Sequence, residues 1–347
     1  MPVLSAIPTA TYTDRVLGGL VGTVASLLPD GAGNPRDVAE ILLHHPPADT
    51  EAEHPRSDLN VTGSPLQLLL SAKSARWEAR LIADPAFYET DPRVRWRKSL
   101  AALDATLCAS GAEGLRDAVR LSLEVVVPAD DPARSEYPTG MIRLAAGLTS
   151  RGAAVYAGAP YTANGWDVAR RWAVAVLGSA DSAQAVIDCL EPNAAVFGMG
   201  VEGVNSTRAR AKLYWRLRRP APIAAFELPW LSSPAMTRFL AAVLRDSSVH
   251  LNALTFSAAF DVVDGTLMDV KTDVCIANSR LGLHGALHCV NEQAALLGLS
   301  PPALNGCSEI FEQNNIDVGC LGLGSDSHGK HRLNIYLYQR YPVPQLP

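Results

Sequence analysis

The chain has 347 residues, 48% of them hydrophobic and 19% charged, which is the balance of a compact globular protein rather than a disordered one. A formal net charge of −5 argues against a protein that coats nucleic acid, so any anion site must come from a local concentration of cations. The first residues, "MPVLSAIPTATYTDR", lack the basic and apolar regions of a signal peptide, and no stretch reaches the ~18 uninterrupted apolar residues of a membrane helix, so a soluble, cytoplasmic protein is expected.

Residues 13–28 place apolar side chains at i, i+3 and i+4, the spacing of an amphipathic helix. Residues 64–85 then alternate with period two and predict two strands about a Lys73–Ser74 turn. The second strand sets Arg76, Glu78 and Arg80 against Trp77, Ala79 and Leu81. Helical spacing returns at 91–107 and 114–127. A hairpin over 140–161 turns at Ser150–Gly152, with Arg143 and Tyr156 on its polar face. After a helix over 165–178, residues 194–217 form the third hairpin, turning near 203–206. Its second strand alternates cleanly: Arg208, Arg210, Lys212 and Tyr214 share one parity, Ala209, Ala211, Leu213 and Trp215 the other. A helix over 233–246 leads to a hairpin over 252–278 turning at Asp264–Gly265, where Asp269, Lys271 and Asp273 oppose Val270, Thr272 and Val274. A helix over 280–299 precedes the last hairpin, 317–339, whose Arg332, Asn334 and Tyr336 oppose Leu333, Ile335 and Leu337 across a turn near His328–Gly329. The six cysteines contain no CxxC pair, and His284 and His288, although at i,i+4, have no evident third ligand, so neither set reads as a metal site.

The chain is therefore a repeated helix–strand–strand–helix unit. Ten antiparallel strands tend to curl or close, and the helices must cover whichever face is apolar. The apolar parity is expected to face a helical shell and the charged parity a lumen. Arg80, Arg143, Arg210, Lys212, Lys271 and Arg332 would then need counter-charge, because buried charge must be paired. Glu78, Asp269 and Asp273 are the expected partners, with an anionic ligand supplying the rest.

On these residues the sequence resembles the aromatic prenyltransferases of the ABBA, or PT-barrel, fold, in particular the bacterial, dimethylallyltryptophan synthase-like branch. The resemblance covers about residues 55–340, with N-terminal helices over 1–55, the whole of 1–347 being read as one domain. Arg210-x-Lys212-x-Tyr214 is similar to the strand with which that family grips the prenyl diphosphate. "ARLIADP" resembles its Arg-x-x-x-Glu-Pro segment, with Arg80 at the arginine and Asp84 for the usual Glu. "TGSPLQLLL" and "HRLNIYLYQ" resemble the preceding and the closing strands. The resemblance implies an α+β fold, a ten-stranded antiparallel barrel of five αββα repeats with helices outside. It implies transfer of a dimethylallyl group from dimethylallyl diphosphate to an aromatic small molecule, first an indole or tryptophan-derived metabolite. Phenolic or peptide acceptors, or a geranyl donor, come second. No nucleic acid or membrane partner is expected, and no cofactor, magnesium being permitted but not required. Two positions depart from the family pattern. Gln67 stands where a Glu often accepts an indole N–H, and Ala154-x-Tyr156 stands for a Lys-x-Tyr pair, with Arg143 a candidate substitute for the missing contact.

The chemistry accounts for the residue types independently. Ionising an allylic diphosphate creates a carbocation and a pyrophosphate, and Arg and Lys neutralise the developing negative charge in a water-poor lumen. The expected diphosphate ligands are Arg80, Arg143, Tyr156, Arg210, Lys212, Tyr214, Lys271, Arg332, Asn334 and Tyr336. Gln67, Glu78 and Asp273 are the candidates for handling the acceptor and its proton, although glutamine orients a donor group without taking its proton. No Asp pair has magnesium-chelating spacing, the acidic run at 129–136 included. A rival reading is a barrel that has lost catalysis and binds an anionic or aromatic metabolite. A third is another transferase or cyclase using the same diphosphate site.

Overall fold

The computed structural model describes residues 12–27, 32–47, 57–73, 75–128, 140–158, 165–219, 231, 233–244, 254–279, 281–302 and 304–340. The acidic run at 129–136 lies outside them. Ten strands form a closed antiparallel barrel: β1 Leu66–Ala72, β2 Trp77–Ala83, β3 Ile142–Gly147, β4 Ala153–Gly158, β5 Ala194–Gly203, β6 Ala209–Leu217, β7 Leu254–Asp261, β8 Leu267–Cys275, β9 Ile316–Asp326 and β10 His331–Gln339. Each strand pairs with its sequence neighbours, and β1 pairs with β10 to close the sheet. All five expected hairpins are present, in register and in order.

Helices surround the barrel. Among the described residues they are α1 Tyr12–Val16, α2 Gly18–Leu27, α3 Pro35–Leu43, α4 Pro92–Ala109, α5 Arg116–Val126, α6 Gly165–Val176, α7 Asp181–Leu190, α8 Pro234–Leu244, α9 Gly282–Leu296 and α10 Ser308–Gln313. The sequence dictates their starts. Asp91 caps α4, its carboxylate accepting from the backbone N–H of Arg93 and Val94 at 2.8 and 3.2 Å, with Pro92 at the first helical position where no N–H is required. Asn34 and Pro35 do the same for α3. The short helices α7 and α10 were not among the expected helices.

The apolar strand parity meets this shell. Leu213, Val270 and Leu333 are buried in the main core cluster between sheet and helices. Trp215 stacks on its cross-strand partner Phe256, ring centroids 5.9 Å apart. Trp172 of α6 donates its indole N–H to Ser122 of α5 at 2.8 Å, which satisfies the polar edge of a ring that is otherwise core. The opposite parity lines the lumen, as the alternation requires. No helix among the described residues is long and apolar enough to cross a membrane.

Candidate functional site

The lumen encloses a cavity of about 610 Å³. Its walls divide into a charged cluster near the hairpin turns of β1–β2, β5–β6, β7–β8 and β9–β10, and an apolar and aromatic region farther in.

Glu202 is the hub of the charged cluster. It is the next-to-last residue of β5 and pairs in register with Arg210, second in β6, so a tight hairpin brings the two together. Its carboxylate, 2% exposed, accepts from Arg80 at 3.1 Å, Lys212 at 2.9 Å, the Tyr156 hydroxyl at 3.3 Å and, closely, Arg210. Asp269 is the second anion, held by Arg210 at 2.9 Å and by both terminal nitrogens of Arg332 at 3.3 Å. Asp273 is the third. Its Oδ2 is engaged closely by Lys271 and faces the Tyr336 hydroxyl at 3.5 Å, while Lys271 donates to that hydroxyl at 2.5 Å.

In this cluster five cations, Arg80, Arg210, Lys212, Lys271 and Arg332, face three carboxylates, which leaves two positive charges over when all are ionised. Burial works against every charge here, and proximity decides the outcome. For Glu202, burial alone would raise the pKa, but Arg210, Lys212 and Arg80 outweigh it and hold the carboxyl well below its usual range. For Lys271, burial is outweighed by Asp273 and Tyr336, which keep the ammonium charged. Lys212 goes the other way. Burial, with Arg210 and Arg332 alongside, brings it down to about 7 despite Glu202. The unliganded lumen is thus short of one kind of group, an anion.

Next to the cluster lies a layer of tyrosines. Tyr156 and Tyr214 meet edge to face at 5.8 Å, Tyr214 and Phe197 approach at 6.0 Å, and the Arg216 guanidinium covers the Phe197 ring at 4.7 Å. Tyr156 and Tyr336 also join a separate apolar cluster of Ile82, Ala145 and Ala154 with Leu59 and Leu69. Burial is the first cause that pushes the Tyr156, Tyr214 and Tyr336 hydroxyls up, so all three stay protonated donors at neutral pH. Gln67 lies on the cavity wall with its amide orientation set by a chain of bonds. Asn60 Nδ2 donates to the backbone carbonyls of Ser64 and Leu66 at 2.9 and 3.3 Å, so Asn60 Oδ1 must accept Gln67 Nε2 at 2.9 Å. That leaves the Gln67 carbonyl oxygen to accept from a ligand.

All the expected site residues line this one cavity: Gln67, Glu78, Arg80, Arg143, Tyr156, Arg210, Lys212, Tyr214, Lys271, Asp273, Arg332, Asn334 and Tyr336. Asn334 is tied there by the Ser71 hydroxyl at 2.5 Å. One expectation needs correction. Glu78 pairs with neither Arg76 nor Arg80, because register sets it opposite Ser71 at the hairpin end, where Lys73 folds over to it at 3.1 Å. It is a half-exposed rim carboxylate, and Arg80 takes Glu202 instead. Arg143 lines the same cavity farther along it. It is second in β3, four residues from Gly147, the partner of Arg80, and therefore ~13 Å along the strand from the cation cluster. There Asp58 holds it closely and Asp84 at 3.3 Å. Asp84, in turn, is buried beneath α4 and bonded to Arg95 at 2.7 Å, a structural pair rather than a wall of the cavity.

Among the lumenal residues that sequence alternation missed are Glu202, Phe197 and Cys320. Glu202 shares parity with Gly198 and Gly200 and faces Arg210 across the turn, so the register of that hairpin contained the signal. Cys320 shares the parity of Gly322 and Gly324, and Phe197 was hidden by a bulge. Pairing slips between Val196 and Gly198 and between Tyr336 and Leu337, which resets the parity and lets Phe197 and Gly198 both face inward. The lumenal glycines make room for neighbouring side chains. A Cβ on Gly200 would lie 2.6 Å from the Tyr156 ring, and one on Gly322 2.0 Å from Asp273 Oδ1.

No family model and no curated protein sequence matches the chain. Solved structures do. A 5-dimethylallyl tryptophan synthase from Streptomyces coelicolor, in complex with DMASPP and Trp, superposes with a TM-score of 0.76 at 15% identity, covering 97% of this chain and 98% of that one. A 6-dimethylallyltryptophan synthase from Micromonospora olivasterospora gives 0.73 at 14% identity, covering 96% and 99%. The prenyltransferase PriB, bound to product diphosphate, gives 0.71 at 14% identity, covering 97% and 100%. The chain has the ABBA, or PT-barrel, fold.

Proposed function

We propose that this barrel moves a dimethylallyl group from dimethylallyl diphosphate to an electron-rich aromatic acceptor, first an indole. The observation that carries the reading is the lumenal cluster of five cations over three carboxylates, set beside a layer of tyrosines in one cavity. The neighbours in complex with DMASPP and Trp, or with product diphosphate, support it from a shared frame.

Arg80, Arg210, Lys212 and Arg332 bind the diphosphate. Their carboxylate partners take only part of each guanidinium, which offers five N–H donors, so the remaining donors are available to phosphate oxygens. Lys212 adds a point charge and becomes fully protonated as the anion arrives. As the allylic C–O bond breaks, these donors stabilise the leaving pyrophosphate in a site that needs no reorganisation. Tyr156, Tyr214 and Tyr336 surround the allylic cation with ring faces and keep water out. The acceptor lies against Phe197 and Leu69, with its N–H or O–H donated to the Gln67 carbonyl. Attack by the ring forms the new C–C bond. None of the six cysteines is in a disulfide, which supports a cytoplasmic setting.

The test is incubation of the purified protein with dimethylallyl diphosphate and a panel of indoles and phenols, read by mass. One added prenyl unit on an indole is expected. Tight binding of diphosphate and indole with no product from any acceptor would favour the non-catalytic barrel.

A further inference from the structure

We propose that Leu59 sets the size limit on the acceptor, a role that rests on the prenyl-transfer reading. Leu59 belongs to no strand or helix. It sits in the segment 57–64 that leads into β1, and with Asp58 it forms part of the cavity wall. Its side chain packs on the lumenal cluster of Ile82, Ala145 and Ala154, against which Leu69, Tyr156 and Tyr336 also pack. One apolar wall of the lumen is therefore supplied by a loop rather than by the barrel.

The segment is pinned on both sides of Leu59. On one side Asp58 engages Arg143 closely, and the Leu59 N–H donates to the Ser57 hydroxyl at 3.1 Å. Arg143 is itself fixed by Asp84, a buried carboxylate bonded to Arg95. On the other side Asn60 is buried and donates to the carbonyls of Ser64 and Leu66. The chain then folds back, the Gly63 N–H donating to the Asn60 carbonyl at 2.9 Å. The Leu59 side chain is thus held in the lumen by the polar bonds of both neighbours as well as by its own packing.

Its place relative to the acceptor follows from the same bonds. Asn60 Oδ1 accepts from Gln67 Nε2 at 2.9 Å, which turns the Gln67 carbonyl oxygen toward a ligand. Leu59 precedes Asn60, so its Cα is about 3.8 Å from that of the residue bonded to Gln67. Gln67 also pairs in register with Ile82, on whose cluster Leu59 packs. A ring that donates its N–H to Gln67 meets the Leu59 side chain beside that bond. For an indole, Leu59 faces the pyrrole edge next to the N–H, and a substituent there competes with it for space. A mismatch of one methylene against such a wall changes kcat/KM by about 10- to 200-fold.

The experiment compares two acceptors with the same indole N–H: indole itself, and tetrahydrocarbazole, in which a saturated ring is fused to the pyrrole edge. Acceptor affinity is read by titration calorimetry with pyrophosphate present to fill the cation cluster, and kcat/KM by product mass with dimethylallyl diphosphate. The parent is expected to favour indole by about tenfold or more in both. Leu59→Ala removes the wall and should shift the preference toward tetrahydrocarbazole by about tenfold or more, with pyrophosphate affinity within about threefold of the parent. Leu59→Phe extends the wall and should weaken indole itself by about tenfold, again with pyrophosphate affinity kept, and it decides the matter if Leu59→Ala does not fold. A parent that takes both acceptors equally, or a preference that Leu59→Ala leaves unchanged, overturns the assignment. Affinities that follow the expected pattern with no product from either acceptor overturn the prenyl-transfer reading alone, so the two readings fail separately.

Discussion

Replacing Glu202 with glutamine should destabilise the empty protein and tighten its grip on pyrophosphate. The carboxylate is buried and engages Arg80, Arg210 and Lys212. Removing one partner of a buried ion pair costs about 3–5 kcal/mol, because the remaining charges stay desolvated. Two considerations place the loss at the lower end. The Arg80 and Arg210 side chains are 23% and 27% exposed, so water screens part of their repulsion. Lys212, already down at about 7, sheds its proton when Glu202 no longer holds it. With an unfolding entropy of about 2.1 cal/mol/K per residue over 347 residues, ~3 kcal/mol lowers the melting temperature by about 4 °C. Pyrophosphate supplies the missing negative charge. At a hundredfold excess over its dissociation constant it restores ~2.7 kcal/mol, again about 4 °C. It should also bind the variant about tenfold more tightly than the parent, since an opposing charge a few ångströms away is gone. Scanning calorimetry with and without pyrophosphate, beside titration calorimetry, measures all three. A variant as stable as the parent when empty, or with no gain in pyrophosphate affinity, would refute the account of Glu202 as the lumen's resident counter-ion.

Arg210→Ala and Lys212→Ala should each lower turnover by two to three orders of magnitude, about 3–4 kcal/mol in the transition state, whereas Arg208→Ala, exposed in the 3-10 turn Ser206–Arg208, should change it little; single-turnover assays on folded variants decide. Donor affinity should fall as pH rises above about 7, by up to tenfold per unit, because Lys212 is then neutral in the empty lumen and must take up a proton on binding; below that pH its contribution is flat, and Lys212→Arg should abolish the slope in a titration series. Transfer should survive EDTA, since the protein's own cations neutralise the pyrophosphate; loss on chelation with recovery on magnesium would reverse this.

The barrel was legible because period-two alternation is a direct geometric signal and it recurred five times with the same sense. Leu213, Val270 and Leu333 face the shell, and Arg80, Lys212 and Tyr336 the lumen, because one parity had to be covered by helices. Alternation failed where the backbone breaks it. The bulge at Phe197 reverses parity within β5. It also says nothing about how far along a strand a side chain sits. Arg143 shares the parity of the other cations, yet Asp58 and Asp84 hold it toward the far end of the barrel.

Alternation placed Asp269 and Asp273 among the cations but missed Glu202, the anion that organises most of them. Arg80, Arg210 and Lys212 come from β2 and β6, strands that do not touch, and Glu202 is the group that draws them to one point. Lys212 cannot remain reliably charged in that company until a ligand brings more negative charge, so the site is tuned to bind a polyanion and to weaken when it leaves. Asp269 extends the same network to Arg332. Asp273 stands apart from it, paired with a lysine and a tyrosine on the side where the apolar cluster begins. Three carboxylates of one lumen therefore divide their work by partner rather than by type. Two fix the geometry of the arginines and Lys212, and the third pairs with Lys271 and Tyr336.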